Sequence, residues 1–572
     1  MGLKANRRRQ ESAPATDTPR GATWISNLPL WLCSLAAICG LIFSFGGALR
    51  GPFIFDDFHL PFLDPHAADM PARFWVGGVR PLLMATYWAN FAVSGTNTQA
   101  YHVVNLVLHF TAGALFFLIL RRLGTLAPTP NWSAWFGAGL FLLHPLQTES
   151  VNYVAGRSEL LCAVFVLLAW LLFLRYFDKT LPAWGTLGIL LCCGAAVLSK
   201  ESGVWVAALL AVTDVYWNRQ GLAMQFRRKA ALYLTGLAGL LSAVFLILRS
   251  LGDSVTAGPG TGVGRWAYAL TQCRSILTYL RLFLWPAGQS LDWRQPTFHS
   301  LWDSGAWMYL IGLAAVLGTV YFLYPRFKMV SFGLLLFLLG LMPTSSFVPL
   351  QDNLAERRMY LPLAGLVIAL LGTAGTLRIH DKVRNAAFTV LLLAAAWATH
   401  GRSRLWSDDL LMWQDVIALD PGNARAHSWL GGALAMRNDC GGATREYKRA
   451  VDLEGMTLAN GTNLGTAYEC SRQPELALNT WRQLVRLHPN ANAYNRIGYL
   501  EAVRNNIQPS LEAFEEALRL DPNNATAYAY RGTANAALRR TAAAKDDFRR
   551  ALKLEPGNAI ATAGLSRLPK EP

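Results

Sequence analysis

Charge is scarce in this chain. Of its 572 residues only 15% are Asp, Glu, Lys or Arg and 53% are hydrophobic, against about 25% charged and 45–50% apolar in an ordinary soluble domain. A protein soluble along its whole length is excluded. Acidic residues are the scarcer sign, and 17 of the 36 fall in the first 400 residues. Those 400 residues hold 30 basic residues against the 17 acidic ones, a net +13, while the last 172 hold 22 against 19, a net +3. The tail has a soluble composition and the rest does not. A charge excess that falls mainly in the apolar part is a membrane signal, so nucleic acid is set aside as a partner. Cysteine is also sparse: five of the eight (Cys33, Cys39, Cys162, Cys192, Cys193) sit in apolar runs, with no Cys-x-x-Cys and no Cys/His zinc spacing, which excludes a zinc module.

What is abundant is apolar sequence of membrane-spanning length. A helix needs about 20 apolar residues to cross the hydrocarbon, and eleven candidates stand at 28–49, 101–120, 132–147, 158–177, 183–199, 203–217, 230–248, 305–324, 329–347, 359–377 and 386–400. Basic residues collect in cytoplasmic loops, so Arg7, Arg8 and Arg9 place the tail 1–27 inside. Alternate loops then carry Arg121 and Arg122; Arg175 and Lys179; Arg219, Arg227, Arg228 and Lys229; Arg326 and Lys328; Arg378, Lys382 and Arg384. Every short inside loop is basic, and an odd span number puts residues 401–572 outside. The run from Leu28 is about 20 residues long and lacks a small-x-small cleavage site, so it reads as an uncleaved span rather than a signal peptide. Residues 266–285 mix Arg274 and Arg281 with Leu, Ile and Trp, which predicts helices lying at the membrane surface; a hairpin of two spans is the alternative.

The tail repeats. "LDPGNA" at Leu419, "DLEGM" at Asp452, "LHPNAN" at Leu487, "LDPNNA" at Leu520 and "LEPGNA" at Leu554 recur, with Pro421, Gly455, Pro489, Pro522 and Pro556 spaced by 34, 34, 33 and 34. That helix–turn–helix period is the tetratricopeptide one. A glycine recurs in each first helix (Gly431, Gly465, Gly498, Gly532) and a small residue in the second (Ala450, Ala517, Ala551), where helices approach closely. The count is about four repeats after a leading half repeat at 406–419. Such stacks present a concave face that binds polypeptides, or serve only as structural supports. Cys440 and Cys470 fall near the inter-helix turns of consecutive repeats, where a disulfide is one option.

Polar residues cluster in the outer loops of the apolar part. Asp56 and Asp57 follow the first span; Arg80 opens an amphipathic stretch; "LLHPLQTESVNYVAGRSE" supplies His144, Glu149, Arg157 and Glu159; "LSKESG" supplies Lys200 and Glu201; "LAERRMYLP" supplies Glu356, Arg357, Arg358 and Tyr360. Ionisable groups at membrane ends are costly and so are functional candidates. Carboxylates and cations on one side suit an attack by a hydroxyl with departure of a phosphate: a carboxylate takes the proton and cations neutralise the leaving group. Taken singly, the acid pair also reads as a solvated loop, His144 as a helix-end cap and Arg357 with Arg358 as headgroup anchors. No third carboxylate stands at ligand spacing from Asp56 and Asp57, so no cofactor is required, with a divalent metal there the minor alternative.

In order along the chain, "FIFDDFHLPF", "RPLLMATYWANF", "YHVVNLVLHF", "LFLLHPLQTESVNYVAGRSELL", "LSKESGVWV", "YLRLFLWPAGQSLDW" and "LAERRMYLPLAGL" resemble the transmembrane and tetratricopeptide-repeat O-mannosyltransferase family, of the GT-C class of membrane glycosyltransferases. The resemblance runs from residue 28 over nearly the whole chain. It implies an all-α fold, a polytopic GT-C bundle (28–400) followed by an extracytoplasmic repeat solenoid (401–572). It also implies transfer of mannose or a similar sugar from a polyprenyl-phosphate donor to protein Ser or Thr, with inversion. By the same resemblance Asp56 or Asp57 is catalytic; Lys200, Arg357 and Arg80 take the lipid phosphate; Glu149 orients acceptor or sugar; and His144, Arg157, Glu201, Glu356 and Tyr360 complete the substrate-binding set. The partners implied are the polyprenyl-linked donor, an acceptor polypeptide on the repeats and the bilayer. The Ala- and Arg-rich tail 1–22 points to a bacterial relative in an inner membrane, the endoplasmic reticulum being the eukaryotic counterpart. The repeats are fewer than in animal members, which leaves acceptor and sugar open. Two other readings compete: a non-catalytic scaffold with a peptide-binding array, and an enzyme of the same class acting on a lipid or glycan.

Overall fold

A computed structural model describes residues 30–127, 132–218, 221–252 and 257–568. The tail 1–27 with Arg7, Arg8 and Arg9, and Arg219, lie outside the described residues. Among the described residues there is no strand, only an isolated bridge between Ala257 and Leu350.

The bundle opens with α1 (Leu30–Phe45), α2 (Ala72–Trp75), α3 (Pro81–Ser94), α4 (Thr98–Leu126), α5 (Trp132–Leu143) and α6 (Thr148–Asn152). It continues with α7 (Arg157–Arg175), α8 (Ala183–Ser199), α9 (Val206–Trp217), α10 (Leu222–Gly252), α11 (Arg265–Leu284), α12 (Ala306–Leu323), α13 (Lys328–Leu341), α14 (Pro362–Thr376) and α15 (Asp381–Leu405). Each of the eleven expected spans coincides with a helix. Five are long and apolar enough to cross a membrane by themselves (31–48, 98–126, 157–175, 226–247 and 303–323), and α5, α8, α13 and α14 are apolar but shorter. The stretch 266–285 forms one helix, α11, so the two-span hairpin is not what forms; Tyr268, Gln272, Ser275 and Tyr279 are buried along one of its faces.

Local signals set these ends. Asn97 caps α4 by accepting the Gln99 N–H at 3.1 Å, satisfying one of the amides a helix start leaves open. In α7 an acid, Glu159, stands in the first turn and Arg175 in the last, the arrangement the helix dipole favours. The main core lies between α4, α5, α7, α13 and α14. At one point α13 and α14 meet backbone to backbone: a Cβ on Gly333 would lie 2.4 Å from the Gly365 carbonyl, and such small-residue contacts are how membrane helices gain packing without a hydrophobic driving force.

The tail follows as α16 (Asp409–Leu419), α17 (Ala424–Met436), α18 (Cys440–Glu454), α19 (Leu458–Cys470), α20 (Pro474–Leu487), α21 (Ala491–Val503), α22 (Ile507–Leu520), α23 (Ala525–Ala537), α24 (Thr541–Leu554) and α25 (Ala559–Arg567). Four helix pairs, from α17/α18 to α23/α24, match the repeat count. The recurring glycines face aromatic rings of the second helices: a Cβ would sit 2.9 Å from Tyr447 at Gly431, 2.6 Å from Trp481 at Gly465, 2.6 Å from Phe514 at Gly498 and 2.8 Å from Phe548 at Gly532. Asn423, Asn490, Asn524 and Asn558 cap the first helices of their units. Cys440 and Cys470 are joined in a disulfide. The boundary expected at residue 400 falls inside α15, and α16 and α17 pack on loops at one end of the bundle rather than standing apart: Trp406, Met412, Trp413 and Leu430 share a core with Ala48, Ile54, Phe55, Tyr153 and Leu291.

Candidate active site

The loops at one end of the bundle close into a single polar layer. Its base is the five-residue 3-10 turn at Phe55–His59. Phe55 has φ 56°, a left-handed conformation that costs a bulky residue of order 1–3 kcal/mol and persists only where neighbours enforce it. The two acids that follow are placed differently. Asp57 is buried, and its carboxylate accepts the Ala155 N–H at 2.7 Å and the Ile54 N–H at 3.1 Å. Burial pushes its acid up to about 7 despite these amides. It acts as a latch between two loops. Asp56 is half-buried; its N–H donates to the Tyr153 hydroxyl at 2.8 Å, and its carboxylate lies beside that same hydroxyl.

Tyr153 joins this acid to a cation. The Arg357 guanidinium lies over its ring, 5.9 Å from the centroid. Arg357 in turn donates Nη1 to Glu149 at 2.7 Å and its backbone N–H to the other Glu149 oxygen at 2.9 Å, and faces Asp352 at 3.6 Å. Arg80 forms a fork with Glu201, at 2.8 to 3.0 Å, and holds the Glu201 carboxyl below its ordinary range, outweighing burial. Lys200 is bonded to Glu159; burial lowers its ammonium from the usual range, Arg80 and Arg357 act in the same direction, and Glu159 opposes them.

The three cations expected to meet a phosphate therefore each already have a carboxylate. A nearby carboxylate offsets the cost of drawing these cations partly out of water. Arg358 differs. Its Nη2 donates to the Asp352 carbonyl at 2.7 Å, whereas its buried Nη1 has no hydrogen-bond partner. Arg358, Lys200, Glu159, Ser202, Trp205 and Thr344 line one narrow cleft.

The remaining expected residues hold the layer together. Both ring nitrogens of His144 are used, Nδ1 accepting the Leu146 N–H at 3.2 Å and Nε2 meeting the Phe283 carbonyl at 3.0 Å, so it is a helix-end cap. Arg157 is fully buried without a carboxylate: it donates to Asn105, Asn90 and the Thr86 and Tyr101 carbonyls and lies over the Tyr87 ring at 4.7 Å. It pins α3 and α4 to α7. Glu356 takes Gln289 Nε2 at 2.5 Å, the Ser290 N–H at 2.8 Å and Trp293 Nε1 at 3.1 Å, fixing the 285–293 loop, and burial pushes its acid up to about 7. Tyr360 bonds His109 at 2.8 Å inside the bundle. Tyr153, Asp352 and the unpaired face of Arg358 were not expected. Tyr153 lies in "ESVNYVAG", where nothing in its neighbours singles it out.

Comparison with known proteins bears on what this layer is. A Caenorhabditis elegans protein O-mannosyl-transferase is 24% identical over 434 residues, covering 71% of this chain and 60% of the relative. Protein O-mannosyl-transferase TMTC3 of Mus musculus is 25% identical over 503 residues, covering 78% and 53%. The chain is a relative of the transmembrane and tetratricopeptide-repeat O-mannosyltransferases. It spans about half the length of these curated relatives. Another member of this family, protein O-mannosyl-transferase TMTC2 of Mus musculus, is 37% identical over 142 residues, or 24% of this chain and 16% of its own. The tetratricopeptide repeat profile matches residues 462–525 and 504–559, within α19 to α25. Among solved structures, YrrB, a TPR protein, matches 32% of the chain at 21% identity with a TM-score of 0.26.

Proposed function

We propose that this chain is a membrane glycosyltransferase that moves a sugar, mannose or similar, from a polyprenyl-phosphate donor to Ser or Thr hydroxyls of proteins. The observation that carries the reading is the division of the acid pair: Asp57 is consumed by two backbone amides, and Asp56 is left half-open beside Tyr153, over whose ring Arg357 lies. The names of the relatives point to the same chemistry.

In this mechanism the acceptor hydroxyl oxygen attacks the anomeric carbon from the face opposite the phosphate, and Asp56 takes the hydroxyl proton as the new bond forms. The anomeric C–O bond breaks with its electron pair passing to the phosphate oxygen, so the configuration inverts. The departing phosphate gains charge, which the Lys200 and Arg358 cleft neutralises. The free Arg358 Nη1 supplies a donor that costs no existing bond, and Lys200 remains charge-balanced by Glu159 until the anion arrives. Arg357, held by Glu149, fixes Tyr153 and through it the base. The repeats present the acceptor polypeptide on the extracytoplasmic side, the periplasm of a bacterial inner membrane.

The test is Asp56→Asn against Asp57→Asn in the purified full chain, with polyprenyl-phosphate mannose, a Ser/Thr peptide and mass spectrometry of the product. Asp56→Asn is expected to lower the turnover number by at least about 100-fold, the scale of general-base catalysis, with the melting temperature unchanged. Asp57→Asn is expected to lower the melting temperature first. Full transfer by Asp56→Asn would sink the base assignment; no transfer by the unaltered chain with any polyprenyl-phosphate sugar would favour the scaffold.

A further inference from the structure

The strained turn that carries Asp56 is not held by the membrane bundle alone. Phe55 is buried, and its ring meets two tryptophans of the tail edge-on, Trp413 of α16 at 5.7 Å and Trp429 of α17 at 5.6 Å between centroids. These two stack on each other at 5.8 Å. The third wall is Arg425 of α17, whose guanidinium lies 5.3 Å from the Phe55 centroid. Arg425 is itself fixed from the bundle side: its Nε donates to Asp292 at 2.8 Å, its Nη2 bonds the other Asp292 oxygen, and Nη2 also reaches Asp352 at 3.0 Å. Asp352 faces Arg357, the cation over Tyr153.

We propose that Trp413, Trp429 and Arg425 are positioning residues of the transfer reaction: the first helices of the repeat array clamp Phe55 in its left-handed conformation and thereby set the Asp56 carboxylate. The proposal rests on the reading of Asp56 as the base. It makes the site a joint product of both parts of the chain, with the functional boundary after α17 rather than at residue 400. A left-handed backbone at a bulky residue relaxes unless its side chain is gripped, and release of this ring frees the turn that aims the base. The aromatic box supplies the grip without touching substrate, and the Asp292 and Asp352 carboxylates fix Arg425 at the angle needed to cover the ring.

The experiment uses the full chain in detergent with polyprenyl-phosphate mannose and a short Ser/Thr peptide. Arg425→Gln and Trp429→Leu are each expected to lower kcat roughly 10- to 100-fold, the scale of an ångström of misplacement, with KM for the peptide unchanged. Arg425→Lys, which keeps the charge facing Asp292 and Asp352, recovers part of the loss. In a Phe55→Ala background the further fall from Arg425→Gln and from Trp429→Leu shrinks, because that ring is their shared contact; what remains reports Trp429 on Phe58 and Arg425 on Asp352. Thermal unfolding identifies any variant that does not fold; should Arg425→Gln fail, Trp429→Leu leaves the ion pairs intact and carries the test. A raised KM with kcat intact would make these residues acceptor contacts and overturn the proposal, as would unchanged kinetics. Activity surviving Asp56→Asn would instead overturn the base assignment, so the two failures are distinguishable.

Discussion

The polar layer of the bundle and the repeat array both use arginine–carboxylate contacts, but they assemble them over different distances along the chain. In the layer, Arg357 meets Glu149 across 208 residues, Arg425 meets Asp292 across 133 and Arg80 meets Glu201 across 121. In the array, Arg496 meets Glu469 across 27, Arg482 meets Glu501 across 19 and Arg531 meets Asp547 across 16, all within neighbouring helices. Repeat contacts are nearly local, so each unit stabilises itself and its neighbours. The layer is a network in which each ion depends on distant segments, and losing one member strands another in a low-dielectric site.

The largest expected effect tests that dependence. Arg357→Gln leaves Glu149 buried without its cation and is expected to destabilise the folded chain by about 3–5 kcal/mol in a denaturant titration, while Glu149→Gln with Arg357→Gln recovers most of the loss. A single variant no costlier than the double one would remove the contrast. In the array, Gly465→Ala drives a methyl into the Trp481 ring, 2.6 Å away, at an expected cost of about 1–3 kcal/mol. Faster amide exchange confined to α19, α20 and adjacent helices would show the damage to be local, whereas loss of exchange protection in the bundle would contradict that picture.

The smallest effect is a pH slope. Glu356 has a folded-state acid near 7, above the unfolded value of about 4.3. Its contribution to stability is therefore complete below the unfolded value and lost as pH rises through about 7. Asp352 runs the other way: burial is outweighed by Arg425 and Arg357, which hold its carboxyl low, so its contribution appears above the unfolded value and is lost on acidification. Asp352 is ionised in both states above about pH 4.5, so between about pH 4.5 and 7 the melting temperature is expected to fall under Glu356 and Asp57, both pushed up to about 7 by burial, and Glu356→Gln to flatten that fall.

The sequence was most informative where a period or a motif carried the signal. The 34-residue spacing located the helix pairs, and the recurring Gly of the first helix located its closest contact. The eleven apolar stretches each became a helix, because hydrophobic length is a local property. The motifs also named most residues of the polar layer. They did not separate roles within it, since role depends on partners: Asp56 and Asp57 are adjacent and chemically identical, yet only Asp57 meets the amides of Ile54 and Ala155. Arg357 and Arg358 are adjacent too, and of the two only Arg358 keeps a buried nitrogen without a hydrogen-bond partner.

By itself, then, the sequence determined a membrane bundle, a repeat tail and the loops in which the chemistry collects, because hydropathy and periodicity are written in neighbouring residues. Tertiary structure decided which acid is sealed and which is open, which cations are already neutralised, and that α16 and α17 grip the turn before the base. Those outcomes depend on desolvation and on partners brought from as far as 208 residues away, and no local pattern encodes them.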